Sequence, residues 1–322
     1  MTQGKPELFD RSVLVVSGKG GVGKTTVAAA CARVGTRRRR RVLLAEIEGR
    51  GGLSRLLGVS PAGFEERRTQ FGYAIQSITA KDALLEYLWL FFHMKTLSRS
   101  LRNAKAVDVA TEAIPGFRDV MVTGKLYELT WWRSGTGRDS GRSPYDLVVV
   151  DAPPTGQLLS FLESPSAYVD LIRAGRPHRQ LTQIDRLLRE DTRLVLVAIP
   201  EEMSVAETLE TVEAVRTSKL PDPVIVVNQV TPAPFPKGSR AAALRLEPPE
   251  AVQLLKEAGI EADEGGAEEL LRAARELDDR GREERRYVER LRKAAPVVEL
   301  PLLYTPSFGP EEIDVLAEGL PS

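Results

Sequence analysis

The segment Gly18-Lys19-Gly20-Gly21-Val22-Gly23-Lys24-Thr25-Thr26 has the residue types needed to hold a polyphosphate. The spacing of Gly18, Gly23, Lys24 and Thr25 fits a loop whose backbone N–H groups converge on an anion, with glycines letting the backbone wrap closely. In such a loop Lys24 reaches the β- and γ-phosphates and the Thr25 hydroxyl ligates magnesium. Gly20, Gly21, Val22 and Thr26 complete the cradle. The strand-like run Val13 to Ser17 leads into it, and the Ala-rich stretch Val27 to Arg33 reads as the helix whose N-terminus faces the phosphates.

A second phosphate-side element is Asp146-Leu147-Val148-Val149-Val150-Asp151 followed by Ala152-Pro153-Pro154-Thr155-Gly156-Gln157. An aspartate at a strand terminus, as Asp151 is here, can order the water shell of magnesium, which keeps several waters and prefers few carboxylates. The turn after it can place the Gly156 N–H and the Thr155 hydroxyl near a γ-phosphate. Lys19 is different. The loop signature makes no demand at that position, so a second lysine there asks for a separate explanation.

The elements that must carry these residues can be picked out as apolar runs: Arg41 to Ile47, Tyr73 to Ile78, Asp146 to Val150, Arg193 to Ile199, Val224 to Val227 and Val297 to Leu300. Nearly continuous Val, Leu and Ile suits strands buried on both faces, and helical patterns between them imply crossovers in a mostly parallel sheet flanked by helices. The fold class is α/β, a P-loop NTPase. Residues 81–133 interrupt the alternation with helical sequence, including Leu84 to Phe92 and Trp131-Trp132, and read as a helical subdomain inserted into a single domain spanning 1–322. Its aromatic stripe suits helix packing, or a groove for an apolar client. Gly135 to Ser143 reads as a loop, residues 231–249 as an irregular proline-rich segment, and Ala267 to Ala294 as a long exposed helix laced with opposite charges three or four apart.

Composition narrows the chemistry. The chain has 322 residues, 45 Lys plus Arg and 45 Asp plus Glu, hence no net charge to draw it to nucleic acid or an anionic membrane. The Arg37 to Arg41 pentad falls at a helix end, where cations complement the dipole. With one cysteine, Cys31, and two histidines, His93 and His178, there is no intrachain disulfide or thiolate cage. No apolar run is long enough to span a bilayer, and residues 1–10 lack an apolar core, so a soluble cytoplasmic protein is expected.

The arrangement Lys-Gly-Gly-x-Gly-Lys-Thr-Thr resembles the deviant phosphate loop of dimerising ATPases. In that class the extra lysine, here Lys19, reaches across the interface to the partner's nucleotide, with the physics of an arginine finger. The Asp151 to Gln157 switch, Val226-Val227-Asn228-Gln229 and Leu300 to Leu303 narrow the resemblance to the arsenical-pump and tail-anchored-protein targeting ATPases. That resemblance implies ATP and Mg2+ as cofactors, Asn228 as reader of adenine, and Glu48 in the place of the family's water-positioning aspartate. Glu46-Ile47-Glu48-Gly49-Arg50-Gly51-Gly52 departs from the usual first switch, Gln157 replaces a histidine, and the metalloid-binding cysteines are absent, which argues against arsenite capture by thiolates. The Glu-Ile-Glu-Gly-Arg-Gly-Gly form looks most like the actinobacterial anion-transporting branch, whose members occur as unequal paralogues. The implied function is a dimeric ATP-hydrolysing switch, homodimer or heterodimer, coupled to a membrane-protein client or transport partner. The alternative is a poorly hydrolysing ATP-binding subunit served by a paralogue. A partition ATPase on DNA shares the loop but not the helical insertion.

Overall fold

A computed structural model describes residues 7–49, 51–92, 114–130, 144–236 and 238–321. The described strands are β1 (Val13–Gly18), β2 (Val42–Ile47), β3 (Arg67–Arg68), β4 (Ala74–Ile78), β5 (Leu147–Asp151), β6 (Thr192–Ala198), β7 (Val224–Val230) and β8 (Val297–Pro301). They form one sheet in the order β3-β4-β2-β5-β1-β6-β7-β8. Every pairing is parallel except β3 with β4. The expected strands are all present, and β3 is an addition: Arg67 and Arg68 are exposed and carry no apolar signal.

Helices cover both faces because successive strand residues point to opposite sides. Val13 and Val15 of β1 pack into one core with Phe161, Leu187 and Val288, whereas Leu14 and Val16 pack into another with Ala28, Ala32 and Leu316. The first layer holds α4 (Phe117–Thr130), α5 (Thr155–Leu171), α6 (Gly175–Glu190), α7 (Glu202–Thr217) and α10 (Glu264–Ala294); the second holds α1 (Lys24–Arg37), α2 (Gly52–Leu56) and α11 (Pro310–Gly319). Small residues let α1 lie close to the sheet. A methyl added at Gly35 would come within 2.7 Å of the Leu147 side chain.

Helix α3 (Ala80–Phe92) packs on α4 between β4 and β5 in sequence. His93, Trp131, Trp132 and the Gly135 to Ser143 loop lie outside the described residues. The proline-rich segment 231–249 is less irregular than its composition suggests: it contains the short α8 (Arg240–Ala243) and the start of α9 (Pro248–Glu257), with proline at the first helical positions where no N–H is needed. Helix α10 is not bare to solvent. It buries Ala267, Leu271, Asp278, Gly281, Glu284, Val288 and Leu291 along one stripe. The two buried acids are paired: Asp278 with Arg240 at 2.6 Å, and Glu284 with Arg280 and both the N–H and hydroxyl of Thr231.

The arginine pentad also has tertiary work. Arg37 reaches Asp314 at 2.9 Å, Arg38 lies over the Phe9 ring, Arg40 donates to the Phe9 carbonyl at 2.8 Å, and Arg41 grips Asp146. These contacts pin the N-terminal segment, α11 and the start of β5 to the end of α1.

Phe161 is fully buried. Phe161→Ala should lower stability by about 3–5 kcal/mol through lost burial and the cavity left behind, read as a shift in the urea midpoint. Burial pushes the Cys31 thiol up to about 12. A thiol reagent at pH 8 should therefore leave native Cys31 unlabelled, and labelling should accelerate in Phe161→Ala in step with its lost stability.

Candidate phosphate and magnesium site

Strand β1 runs between β5 and β6, the point where strand order changes direction and where parallel sheets bind ligands at their carboxyl ends. Val16 pairs with Asp151 on one side, and Gly18 pairs with Val197 on the other. The loop leaves the sheet at Gly18, where a methyl would sit 2.2 Å from the Val197 carbonyl oxygen. It ends at Gly23, whose φ of 90° is left-handed and whose added methyl would sit 2.4 Å from Asn228 Nδ2. Neither position has room for a side chain.

Lys24 opens α1 and its ammonium donates to the Lys19 carbonyl at 3.0 Å, folding back over the loop. Burial pulls its pKa below the usual lysine range, while the carboxylates of Asp151 and then Glu207 oppose that pull. Thr25, one residue on, donates its hydroxyl to Asp151 Oδ2 at 2.6 Å. Asp151 is 8 % exposed, and its carboxyl is pushed up to about 6. Burial is the main cause, opposed by the Thr25 hydrogen bond and Lys24, with the Glu46 charge adding to it. A hydroxyl and a carboxylate in contact are hard oxygen donors. They fit a magnesium ion that keeps most of its waters and takes its remaining ligands from a phosphate. Among the described residues no group of three or more His, Cys, Asp or Glu gathers around a common point.

The second turn is held against the first strand by the Ser17 hydroxyl, which donates to the Pro153 carbonyl at 2.6 Å. Helix α5 then begins at Thr155, with Gly156 exposed in its first turn. The Thr155 hydroxyl donates to Glu207 of α7. The other Glu207 oxygen lies 3.5 Å from Lys19 Nζ. Glu207 was invisible to sequence reading, because it sits in an ordinary amphipathic helix with no motif around it. Gly18 to Thr26, Asp151, Thr155 and Gly156 thus share one end of the sheet, and Asn228 joins them from β7. Asn228 is 4 % exposed, and its amide nitrogen donates to the Val22 carbonyl at 3.0 Å, bracing the loop from below.

The two glutamates of the first switch have different surroundings. Glu46, beside Asp151 in the β2–β5 register, accepts from the N–H groups of Gly52 at 3.1 Å and Leu53 at 3.3 Å at the start of α2. A methyl at Gly49 would lie 2.2 Å from the Glu46 carboxyl carbon, so the glycine after Glu48 makes room for that cap. Glu48 has a left-handed φ of 50°. Its carboxylate accepts from the Ala80 N–H at 2.9 Å, at the start of α3, and pairs with Arg118 of α4 at 3.2 Å. Next to Arg118, Asp119 accepts from the Ser160 hydroxyl of α5 at 3.3 Å. The first turns of α3 and α4 are therefore tied to the first switch, and α4 also to α5, the helix that follows the second. Arg118 was a further residue that spacing alone did not reveal.

A separate cavity of about 690 Å³ lies among α3, α4, α5 and α6, walled by Leu84, Leu88, Phe117, Met121, Tyr168 and Ile184 among others. Lys125 is buried beside it, 2.6 Å from Glu86 and 3.1 Å from Glu128. Of the Leu84 to Phe92 run, Leu85 is buried, Leu84, Tyr87 and Leu88 face this cavity, and Trp89 is 42 % exposed.

A glycine loop between β1 and α1, backed by an aspartate at the end of the neighbouring strand, defines a P-loop NTPase. A model of the anion-transporting ATPase family matches residues 11–190. The chain is 38% identical over 226 residues to ATPase BagA of Mycobacterium tuberculosis, covering 68% of this chain and 65% of BagA, less than two thirds of that relative's length. It is 29% identical over 155 residues to a protein of Aquifex aeolicus provisionally named arsenical pump-driving ATPase 2, covering 47% of this chain and 48% of that protein. The chain belongs to the anion-transporting ATPase family. Among the described residues no helix is long and apolar enough to cross a membrane.

The elevated Asp151 pKa carries a sign. The folded value, about 6, lies above the ordinary 3.8, so folding opposes ionisation. That penalty is absent below about pH 4 and grows as pH rises through 6. Asp151→Asn should stabilise the metal-free chain at pH 7.5, by on the order of 2 kcal/mol, with no gain at pH 4. It should also abolish any extra thermal stability conferred by magnesium with nucleotide, measured by differential scanning fluorimetry.

Proposed function

We propose that the chain is an ATP- and Mg2+-dependent ATPase working as a dimeric switch. The observation that carries this reading is the convergence of Lys24, Thr25 and Asp151 at the carboxyl ends of adjacent strands, with the 2.6 Å Thr25–Asp151 bond joining them. Lys24 and the loop N–H groups of Gly18 to Thr26 hold the β- and γ-phosphates. Thr25 and Asp151 hold magnesium, which when bound neutralises phosphate charge. Thr155 and Gly156 attend the γ-phosphate, Asn228 is assigned the reading of adenine, Glu48 orients the attacking water, and Lys19 acts on a partner subunit's nucleotide.

Loss of the γ-phosphate removes contacts that order both switches. The ties from Glu48 to Ala80 and Arg118, and from Asp119 to Ser160, give that loss a mechanical route into α3 and α4. In this proposal residues 81–133 are an inserted helical unit that passes nucleotide state to a membrane-protein client or transport partner. The name of the Aquifex relative, a driver of an arsenical pump, is in keeping with such a coupling. The apolar-walled cavity on α3 and α4 supports it too.

A second reading is favoured by the two contacts of the Glu48 carboxylate. Because Ala80 and Arg118 engage the Glu48 carboxylate, water positioning requires that clasp to loosen, and a subunit in which it stays closed binds ATP and hydrolyses it slowly. A paralogue then supplies turnover in a heterodimer.

Phosphate release by the purified chain separates these readings. Lys24→Ala should weaken ATP binding by on the order of a hundredfold. Glu48→Gln should retain ATP affinity but cut turnover at least about tenfold. Equal turnover in wild type and Glu48→Gln removes Glu48 from the mechanism. Turnover that is absent alone and emerges on adding a paralogue favours the heterodimer.

A further inference from the structure

Glu207 is the acidic side chain that faces the phosphate loop from α7. One carboxylate oxygen accepts from the Thr155 hydroxyl and the other pairs with Lys19 Nζ at 3.5 Å. Its charge also reaches Lys24, where it favours the ammonium form. Both direct partners are donors with a second task in the proposed reaction: Thr155 belongs with the γ-phosphate, and Lys19 with a neighbouring subunit's nucleotide. One carboxylate occupying two phosphate-directed donors is a geometry with a consequence.

We infer that Glu207 is a placeholder for the terminal phosphate, holding Thr155 and Lys19 in the resting subunit and releasing them to a nucleoside triphosphate. This rests on the nucleotide reading of the loop. The chemistry is competitive. A γ-phosphate offers Thr155 more acceptor oxygens and more negative charge than a carboxylate does, and its own charge repels Glu207, which then lets go of Lys19. Displacement is affordable because Lys19 and Glu207 are 36% and 35% exposed, so water takes over as their contact opens. A diphosphate lacks the competing group and leaves the clasp in place. Freed Lys19 is then available to cross a subunit interface, which makes pairing conditional on the triphosphate. Met203, one turn before Glu207 on α7, is 68% exposed beside Thr155 and Gly156 in an open cleft of about 460 Å³, so the clasp faces solvent where a second subunit can approach.

The test is calorimetric titration of the whole chain with a non-hydrolysable ATP analogue and with ADP, each with Mg2+. The variants are Glu207→Gln, Thr155→Val and the double substitution. Glu207→Gln is expected to bind the triphosphate analogue about three- to tenfold tighter while ADP affinity moves by less than about twofold. Thr155→Val should erase that gain, so that Glu207→Gln adds nothing in its presence. Unchanged affinities, parallel tightening toward both nucleotides, or additive effects overturn the placeholder, since a merely structural tie between α5 and α7 has no reason to distinguish ADP from ATP. Glu207→Asp keeps the charge but is one methylene too short to span both partners, and must shift the triphosphate preference in the same direction. It also serves if the Gln variant does not fold. A wild-type chain that binds neither nucleotide overturns the nucleotide reading and this inference together. Wild-type binding with unresponsive Glu207 variants overturns only the placeholder.

Discussion

The 2.6 Å hydrogen bond from the Thr25 hydroxyl to Asp151 is the contact on which the site turns. It exists because β1 and β5 are parallel neighbours with Val16 opposite Asp151, so the helix that follows β1 starts beside the end of β5. The carboxylate is nearly sealed from water, an unfavourable place for a negative charge without partners. Thr25 and the half-buried Lys24 are those partners within the chain. A hard dication bound to phosphate would be a better one.

Around that contact, carboxylates tie together the elements at the carboxyl end of the sheet. Glu46 caps α2 by accepting from Gly52 and Leu53. Glu48 joins the first switch to the starts of α3 and α4. Glu207 joins the phosphate loop to the first turn of α5. Those of Glu48 and Glu207 join partly exposed charged groups, and in the proposed switch such bonds are strong enough to set a resting geometry and weak enough to exchange. A second charge in the site, such as a γ-phosphate, then biases several of them at once, which is the physical content of a two-state response.

The same economy governs the periphery. Arg37, Arg40 and Arg41 are used up on Asp314, backbone carbonyls and Asp146, so the densest cationic run in the chain is a clamp on α1, β5 and the N-terminal segment. In α10, Asp278 and Glu284 are buried but each has an arginine partner, and Glu284 also takes both donors of Thr231 just after β7. That ties the segment following Asn228 to α10.

The parts of this protein that were legible from its residues are those set by local rules. Glycine spacing marked the loop because only residues without a side chain fit against the Val197 carbonyl and Asn228, and unbroken Val, Leu and Ile marked strands buried on two faces. Asp151 was readable because it ends such a strand. The two-residue β3 escaped notice because exposed arginines in an edge strand carry no hydrophobic pattern. Only the tertiary structure decided that Glu207 faces Lys19, that Arg118 holds Glu48, that Glu46 caps α2 beside Asp151, and that Asn228 braces Val22. The reason is physical: a charged residue on a helix looks alike in sequence whether it meets water or a partner far along the chain, and the packing of α7 and α4 against the sheet makes that choice.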